Sequence, residues 1–380
     1  MCVLLALSCA RSPRVTPSPS FSSAILLEQN ADETGNVSIG DLDRDGNLDI
    51  LLVKGRHSPR VDRVLFGDGR GGFPRTRDVS AVADRSYSGS LVDVDRDGDL
   101  DIVMSNDAPD PKVVHLNDGA GNFTLGGTYG QPSWVTRNAT VADMNGDGLP
   151  DIIVANRTGP GPGANYICLN QGGGRFDADC IVFSRESATT ITAADVNRDG
   201  FMDLVVPHRD GGQSHVYVND GKPGAPAFTR VAFGPARATI RVSDVGDFDA
   251  DGRLDIVTAD ERRGVMIYFG QSGPTWSAPL LVSAPPPAAA NPDDLPPGSP
   301  YALLVGDVNR DGRPDILVGK IEAPSAVLFN DGTGRRFTTV NLGDAQGTPY
   351  GFAIADVNKD GRVDIAVARS GAPNVLFFGK

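Results

Sequence analysis

Seven nonapeptides crowd oxygen-bearing side chains into short stretches of this chain: DLDRDGNLD (41–49), DVDRDGDLD (93–101), DMNGDGLPD (143–151), DVNRDGFMD (195–203), DFDADGRLD (247–255), DVNRDGRPD (307–315) and DVNKDGRVD (356–364). Place one is always aspartate: Asp41, Asp93, Asp143, Asp195, Asp247, Asp307, Asp356. Place three is aspartate or asparagine: Asp43, Asp95, Asn145, Asn197, Asp249, Asn309, Asn358. Place five is aspartate (Asp45, Asp97, Asp147, Asp199, Asp251, Asp311, Asp360), as is place nine (Asp49, Asp101, Asp151, Asp203, Asp255, Asp315, Asp364). Place seven varies (Asn47, Asp99, Leu149, Phe201, Arg253, Arg313, Arg362), as expected of a residue that contributes only its main-chain carbonyl. Four side-chain oxygen donors and one carbonyl around a tight turn make a cage of hard oxygens, the chemistry that Ca2+ favours. No Cys or His lies in any nonamer, so softer metals lack their ligands. Without a cation the carboxylates repel one another. The competing reading is a set of Asx-turns that use Asp and Gly for local hydrogen bonds only.

The elements around the cages can be read from their recurrence, since successive nonamers start 52, 50, 52, 52, 60 and 49 residues apart. Place six is always Gly, which suits a positive φ, and place two is always apolar, which points that side chain into a core. An alternating run such as NVSIGD (36–41) precedes each cage, and an Ile/Val-rich run such as DILLV (49–53) follows it. A third strand then ends in a Gly-rich turn such as LNDGAGNF. An aromatic closes each turn (Phe73, Phe123, Phe176, Phe228, Trp276, Phe337) and is expected to open a fourth strand. Four antiparallel strands in about 50 residues make a propeller blade. The expected fold is therefore all-β, a seven-bladed β-propeller of four-stranded antiparallel blades. The chain stops after a third strand at NVLFFGK (374–380), while FSSAILLEQ (21–29) has the phase of a fourth. That N-terminal strand should complete the last blade and close the ring, leaving no open edge. The 60-residue spacing reflects a proline-rich insertion at 285–298.

The cage together with the LNDG-x-G-x-F turn resembles the FG-GAP/VCBS repeat family, seven-bladed propellers that include the integrin α-chain head. The resemblance covers residues 21–380 and implies calcium at the Asp/Asn positions, in the loop between the first and second strands of a blade. It departs from integrin heads in that all seven blades carry a cage, a pattern closer to bacterial secreted members. An adhesive role does not follow from it alone. The cages are not EF-hands, because place twelve is Leu52, Met104 or another apolar residue or Thr258, never Glu.

Composition bounds the partners. A formal net charge of −13 argues against nucleic acid, which demands clustered Lys and Arg. Residues 1–20 combine the apolar MCVLLALSCA with a Pro/Ser tether, and read as a signal or lipoprotein-like segment ahead of the propeller at 21–380. Secreted, periplasmic or cell-surface placement is the expectation, with membrane contact only through an N-terminal lipid anchor. Cys168 and Cys180 flank Gly174 symmetrically, and a hairpin turning there would set them opposite each other as a disulfide; two free buried thiols are the alternative.

Seven protein-saturated cages read as structural, so a working site belongs on the opposite face. Tyr87, Tyr301 and Tyr350 each lie six residues before a cage aspartate; Arg137 and Arg241 share that register, and Trp134 lies close by. These are candidate anchors for a glycan or protein ligand, against the alternative of simple packing at the channel mouth. The loops at 54–63, 207–212 and 259–264 carry His57, His208, Arg209 and Asp210, which could serve acid–base chemistry. No nucleophile elbow, zinc motif or phosphate loop appears. The two functional readings are a non-catalytic binding or adhesion scaffold, and a carbohydrate-active lyase or dehydratase on the same fold.

Overall fold

The computed structural model describes residues 20–159, 163–176, 178–288, 291 and 294–380. The leader-like residues 1–19 lie outside them. The described chain folds into seven four-stranded antiparallel sheets. Blade one comprises Thr34–Gly40, Asp49–Lys54, Arg63–Phe66 and Arg75–Asp78. Blades two to six repeat the order, with first strands Ser86–Val92, Thr136–Ala142, Thr192–Ala194, Ile240–Gly246 and Pro300–Gly306. Blade seven takes Thr348–Ala355, Asp364–Ser370 and Val375–Phe377 from the C-terminus and Ile25–Leu26 from the N-terminus. Ile25 pairs with Leu376 and Leu26 with Val375, and Phe21 bridges Gly379. The ring thus closes by strand exchange between the two ends, as the phase of residues 21–29 predicts. First strands touch their neighbours all the way round, including blade seven against blade one.

The strands differ in burial, and their composition follows. Second strands such as DILLVK are buried along their whole length, whereas the fourth strand of blade one, RTRD, is mostly exposed. Charged outer strands discourage edge-to-edge pairing. Alternate residues of a second strand serve different neighbours, because successive side chains leave opposite faces. Leu51 and Val53 pack towards Ile102 and Met104 of blade two, while Ile50 and Leu52 meet Ala366 and Ala368 of blade seven. The core is therefore seven wedges between blades. Place-two residues such as Leu42, Met144 and Phe248 fill those wedges at the cage end.

Phe123, Phe228 and Phe337 open fourth strands as expected. Phe73, Phe176 and Trp276 stand two, five and four residues ahead of theirs, at Arg75, Ile181 and Leu280. Phe176 and Trp276 make isolated bridges to Asn170 and Gly270, so the chain turns once more before pairing resumes. A disulfide joins Cys168 and Cys180, with Cα atoms 4.4 Å apart.

Candidate metal centres and a candidate ligand site

Every cage sits between the first and second strands of its blade, and the place-nine aspartate is the first residue of the second strand in all seven. The place-six glycines have φ between +80° and +93°, the left-handed region the sequence required. Each place-one carboxylate accepts the place-six N–H, for example Gly46 N–H to Asp41 at 3.0 Å and Gly148 N–H to Asp143 at 2.8 Å. Place-five carboxylates accept the place-seven N–H, as in Asp99 N–H to Asp97 at 2.8 Å. The Asx-type hydrogen bonds are therefore present, but they do not use all the oxygen. Carboxylate oxygens of Asp41/Asp43/Asp45, Asp93/Asp95/Asp101 and Asp247/Asp249/Asp251 lie within 4.8 Å of one another. In the same three cages Asp41 Oδ1, Asp93 Oδ1 and Asp249 Oδ1 are buried with no hydrogen-bond partner among the described residues. Such orphaned, mutually close anionic oxygens are what a divalent cation satisfies. The residues present fit the ion.

Place nine does more than face the cage. One oxygen of Asp101 accepts Val94 N–H and the other accepts Asn117 N–H, both at 2.9 Å, so the carboxylate ties the cage to the third strand. The other six blades repeat the arrangement, from Asp49 with Leu42 and Gly67 to Asp364 with Val357 and Gly379. Burial pushes all seven carboxyls up to about 6, against the lowering effect of these donors, and neighbouring cage aspartates add to the rise. Each oxygen keeps a second lone pair for a cation.

Two kinds of side chain pin neighbouring blades, and neither is evident in the nonamer alone. The turn asparagine of one blade reaches back to the place-two carbonyl of the blade before it: Asn117 to Leu42, Asn170 to Val94, Asn219 to Met144 and Asn330 to Phe248, at 2.8–3.0 Å. Place-four residues reach forward. They occupy positive φ, and Arg44 pairs with Asp99, Arg96 bonds Gly148 O, and Lys359 Nζ donates to Asn47 Oδ1 at 2.7 Å across the closure.

At the other end of the first strands lies the channel mouth. Six first strands carry a β-bulge, and in each the unpaired residue is the one six before the cage: Gly35, Tyr87, Arg137, Arg241, Tyr301 and Tyr350. A bulge re-aims a side chain out of the strand's alternation. All six residues, with Thr189 in the same register of blade four, line one cavity of about 200 Å³. The structure thus brings together five of the six candidate anchors. Trp134 is not among them. It stacks on Tyr166 at 3.8 Å between ring centroids, and its carbonyl accepts from Lys112 Nζ. Lying nine residues before its cage instead of six, Trp134 falls outside the bulge. Gly35 and Thr189 were findable by extending the same count to blades one and four. Arg56, which packs on the Tyr350 ring beside the cavity, was not, since it comes from the loop after the second strand. Gly35 leaves it space, because a Cβ there would approach Arg56 Cγ to 3.2 Å and Tyr87 O to 2.8 Å.

Each tyrosine of the mouth carries a guanidinium on one face. Arg241 lies 3.5 Å over the Tyr301 ring, Arg56 3.8 Å over Tyr350 and Arg137 4.3 Å over Tyr87. The Tyr301 and Tyr350 hydroxyls are 2.9 Å apart. Burial opposes ionisation of Tyr301, yet Arg241, the Tyr350 hydroxyl and Arg209 together bring its pKa below the ordinary value. Tyr87 bonds His57 Nε2 at 3.1 Å. His208 does not join this group. Its Nδ1 accepts Asp210 and Gly212 N–H at 3.2 Å, burial lowers its pKa, and Asp210 is engaged by Arg157 at 2.9 Å. Arg209 pairs with Glu261 at 2.6 Å. The acid–base candidates are thus spread among separate local networks among the described residues.

Comparison with known proteins agrees with this geometry. The FG-GAP-like repeat model matches residues 41–104, 93–154, 143–206, 247–318 and 307–367. Integrin alpha-V of Gallus gallus is 25% identical over 222 residues, which are 52% of this chain and 21% of that protein, so the chain spans about a fifth of its relative. Among solved structures, BBS1N in complex with ARL6DN, from a mercury-soaked crystal, superposes with a TM-score of 0.59 at 11% identity, covering 95% of this chain and 96% of that one. Saccharomyces cerevisiae Sqt1 gives 0.58 at 9% identity, covering 94% and 98%. At such identities these likenesses concern the fold alone. With matched repeats over most of its length, a cage in every blade and a closed seven-bladed ring, the chain belongs to the FG-GAP-like repeat family.

Proposed function

We propose that the chain is a calcium-stiffened propeller of the extracellular or surface type, a binding scaffold that presents its channel mouth to a glycan or protein ligand. The observation that carries the calcium half is the set of orphaned buried oxygens of Asp41, Asp93 and Asp249 within clustered carboxylates. In each blade, the side chains at places one, three, five and nine and the carbonyl at place seven would hold the ion. When bound, it neutralises carboxylates that otherwise repel one another. Seven divalent ions carry +14 against a formal −13. The extracellular half is supported by the integrin alpha-V likeness and by the Cys168–Cys180 disulfide, which suits an oxidising compartment.

Geometry supports the ligand half. At the mouth, bulges in six blades turn side chains to a common point, away from the cages. Metal analysis of protein dialysed against calcium at roughly millimolar concentration, the range of extracellular modules, should find several bound ions per chain. The melting temperature should fall in excess chelator. Calcium-free protein after that dialysis, or a melt indifferent to chelator, overturns the metal assignment. Screening the calcium-loaded chain on glycan and protein arrays tests the scaffold. Turnover of a bound glycan would replace the scaffold with an enzyme.

A further inference from the structure

The cation arrangement at the mouth is not balanced. Arg137 pairs with Asp107 at 2.6 Å and Arg209 with Glu261 at 2.6 Å. Arg241 reaches Glu261 only at 3.8 Å, and Glu261 already serves Arg209. Among the described residues no hydrogen bond reaches the Arg241 guanidinium, although the residue is only 6% exposed and lines the cavity. Arg56 has no carboxylate partner among the described residues; its Nη1 donates to Ser370 Oγ, while its Nε is buried and unbonded among them. A buried guanidinium without its hydrogen bonds is costly and demands a counter-charge. This surplus of positive charge stands in a chain whose net charge is −13.

Tyr87, Tyr301 and Tyr350 each carry an arginine on one ring face. They act as supports that hold the guanidinium groups in place. On the blade-four side, Thr189 Oγ1 and Thr190 Oγ1 are buried without hydrogen-bond partners among the described residues, and both residues line the same cavity. The cavity, about 200 Å³, is smaller than the roughly 300–1,000 Å³ usual for small-molecule pockets. It suits one compact polar unit carrying both an oxyanion and hydroxyls. A peptide carboxylate would satisfy the arginines and leave the threonine hydroxyls unmet.

We infer that the mouth binds an acidic sugar unit, its carboxylate or sulfate against Arg241 and Arg56 and its hydroxyls towards Thr189 and Thr190. This rests on the mouth being the ligand site of the proposed scaffold. The test is calorimetric titration of the calcium-loaded full chain with four probes: a uronate disaccharide, a sulfated disaccharide, a neutral disaccharide and an Asp-rich peptide. One of the two acidic sugars should bind, and which one identifies the oxyanion. Arg241→Gln should weaken it about ten- to a hundredfold, the loss expected for a hydrogen bond to a charged group. Arg241→Lys should restore part of the affinity. Arg56→Gln and Thr189→Val give independent readings should Arg241→Gln not fold, judged by the calcium-dependent melt. Equal affinity for the neutral sugar, or binding of the peptide but neither acidic sugar, overturns the inference. So does an absence of binding to both acidic sugars. A neutral glycan whose binding is lost in Arg241→Gln overturns the anionic class while keeping the mouth as the site. Acidic-sugar binding untouched by all the variants overturns the mouth itself.

Discussion

Replacing Asp97 and Asp101 one at a time separates the two tasks assigned to the cage of blade two. Asp97, at place five, is exposed, and its carboxylate accepts Asp99 N–H at 2.8 Å. Asp97→Ala in chelator therefore loses an exposed hydrogen bond, roughly 0.5–1 kcal/mol, and gains by removing a repelling carboxylate; the net should be close to zero. With calcium at about 100 times its dissociation constant, each filled cage contributes about 2.7 kcal/mol. The variant should then be less stable by about that amount. Asp101→Ala behaves differently. It strands the buried N–H groups of Val94 and Asn117, at roughly 1–3 kcal/mol each, and relief from burying its charge offsets only part of this. That loss is already present in chelator, and in calcium the lost place-nine ligand adds to it. The assay is equilibrium urea unfolding of both variants in the two buffers. An Asp97→Ala effect that is the same with and without calcium refutes the cage. An Asp101→Ala protein as stable as the parent in chelator refutes the place-nine lock.

Three further outcomes can be checked. Removing the Cys168–Cys180 disulfide, with twelve residues of separation, should lower stability by roughly 2–4 kcal/mol, read as a shifted urea midpoint in the Cys168→Ala/Cys180→Ala double variant. Asp62 is buried, and burial raises its pKa to about 7 against the lowering donors Lys54 N–H and Ser86 Oγ. The native chain therefore keeps a proton between about pH 4 and 7 that the unfolded chain has lost. The Asp62 contribution to stability falls as pH rises through that window and is level above it. Asp62→Asn should be the more stable at pH 8 and should lose this slope; equal pH profiles of melting temperature would contradict the assignment. Asn117→Ala removes donors to Leu42 O at 2.8 Å and Leu100 O at 3.0 Å, and should cost about 1–3 kcal/mol, with amide exchange quickening between blades one and two. Unchanged exchange there would show the pin to be redundant.

Much of this architecture is legible before any coordinates, because it repeats. Gly46 and its six counterparts announce the tight turn, Leu42 and its counterparts the buried wedge, and Phe21 the phase of the latch. What escapes is what a one-dimensional pattern does not encode. The bulge at Tyr87 or Arg241 adds one residue to a short strand, and the neighbouring alternation absorbs it without a visible break. Trp134 looked like a companion of the mouth residues from nearness in sequence alone, yet three residues of extra distance place it against Tyr166. The forward reach of Arg44 and Lys359 depends on a left-handed backbone that a long cation seldom adopts, so composition gave no warning of it. The outer strands of blades three and five begin later than their aromatics suggest, because Phe176 and Trp276 first close local bridges. Asp99 shows the same limit: its variable place-seven side chain is free to pair with Arg44 of the preceding blade.

The bulges separate the side chains offered at the mouth from those that hold the ring. One end of each inner strand is committed to holding the ring together, and the residue six places before each cage supplies a single letter; read in order, the letters are Gly35, Tyr87, Arg137, Thr189, Arg241, Tyr301 and Tyr350. Changing a letter leaves the oxygen cluster at the far end of that strand untouched. A lineage built on this plan can therefore rewrite a seven-character address without renegotiating the frame that carries it. An engineer can do the same by permuting seven positions while the remainder of the molecule stays fixed.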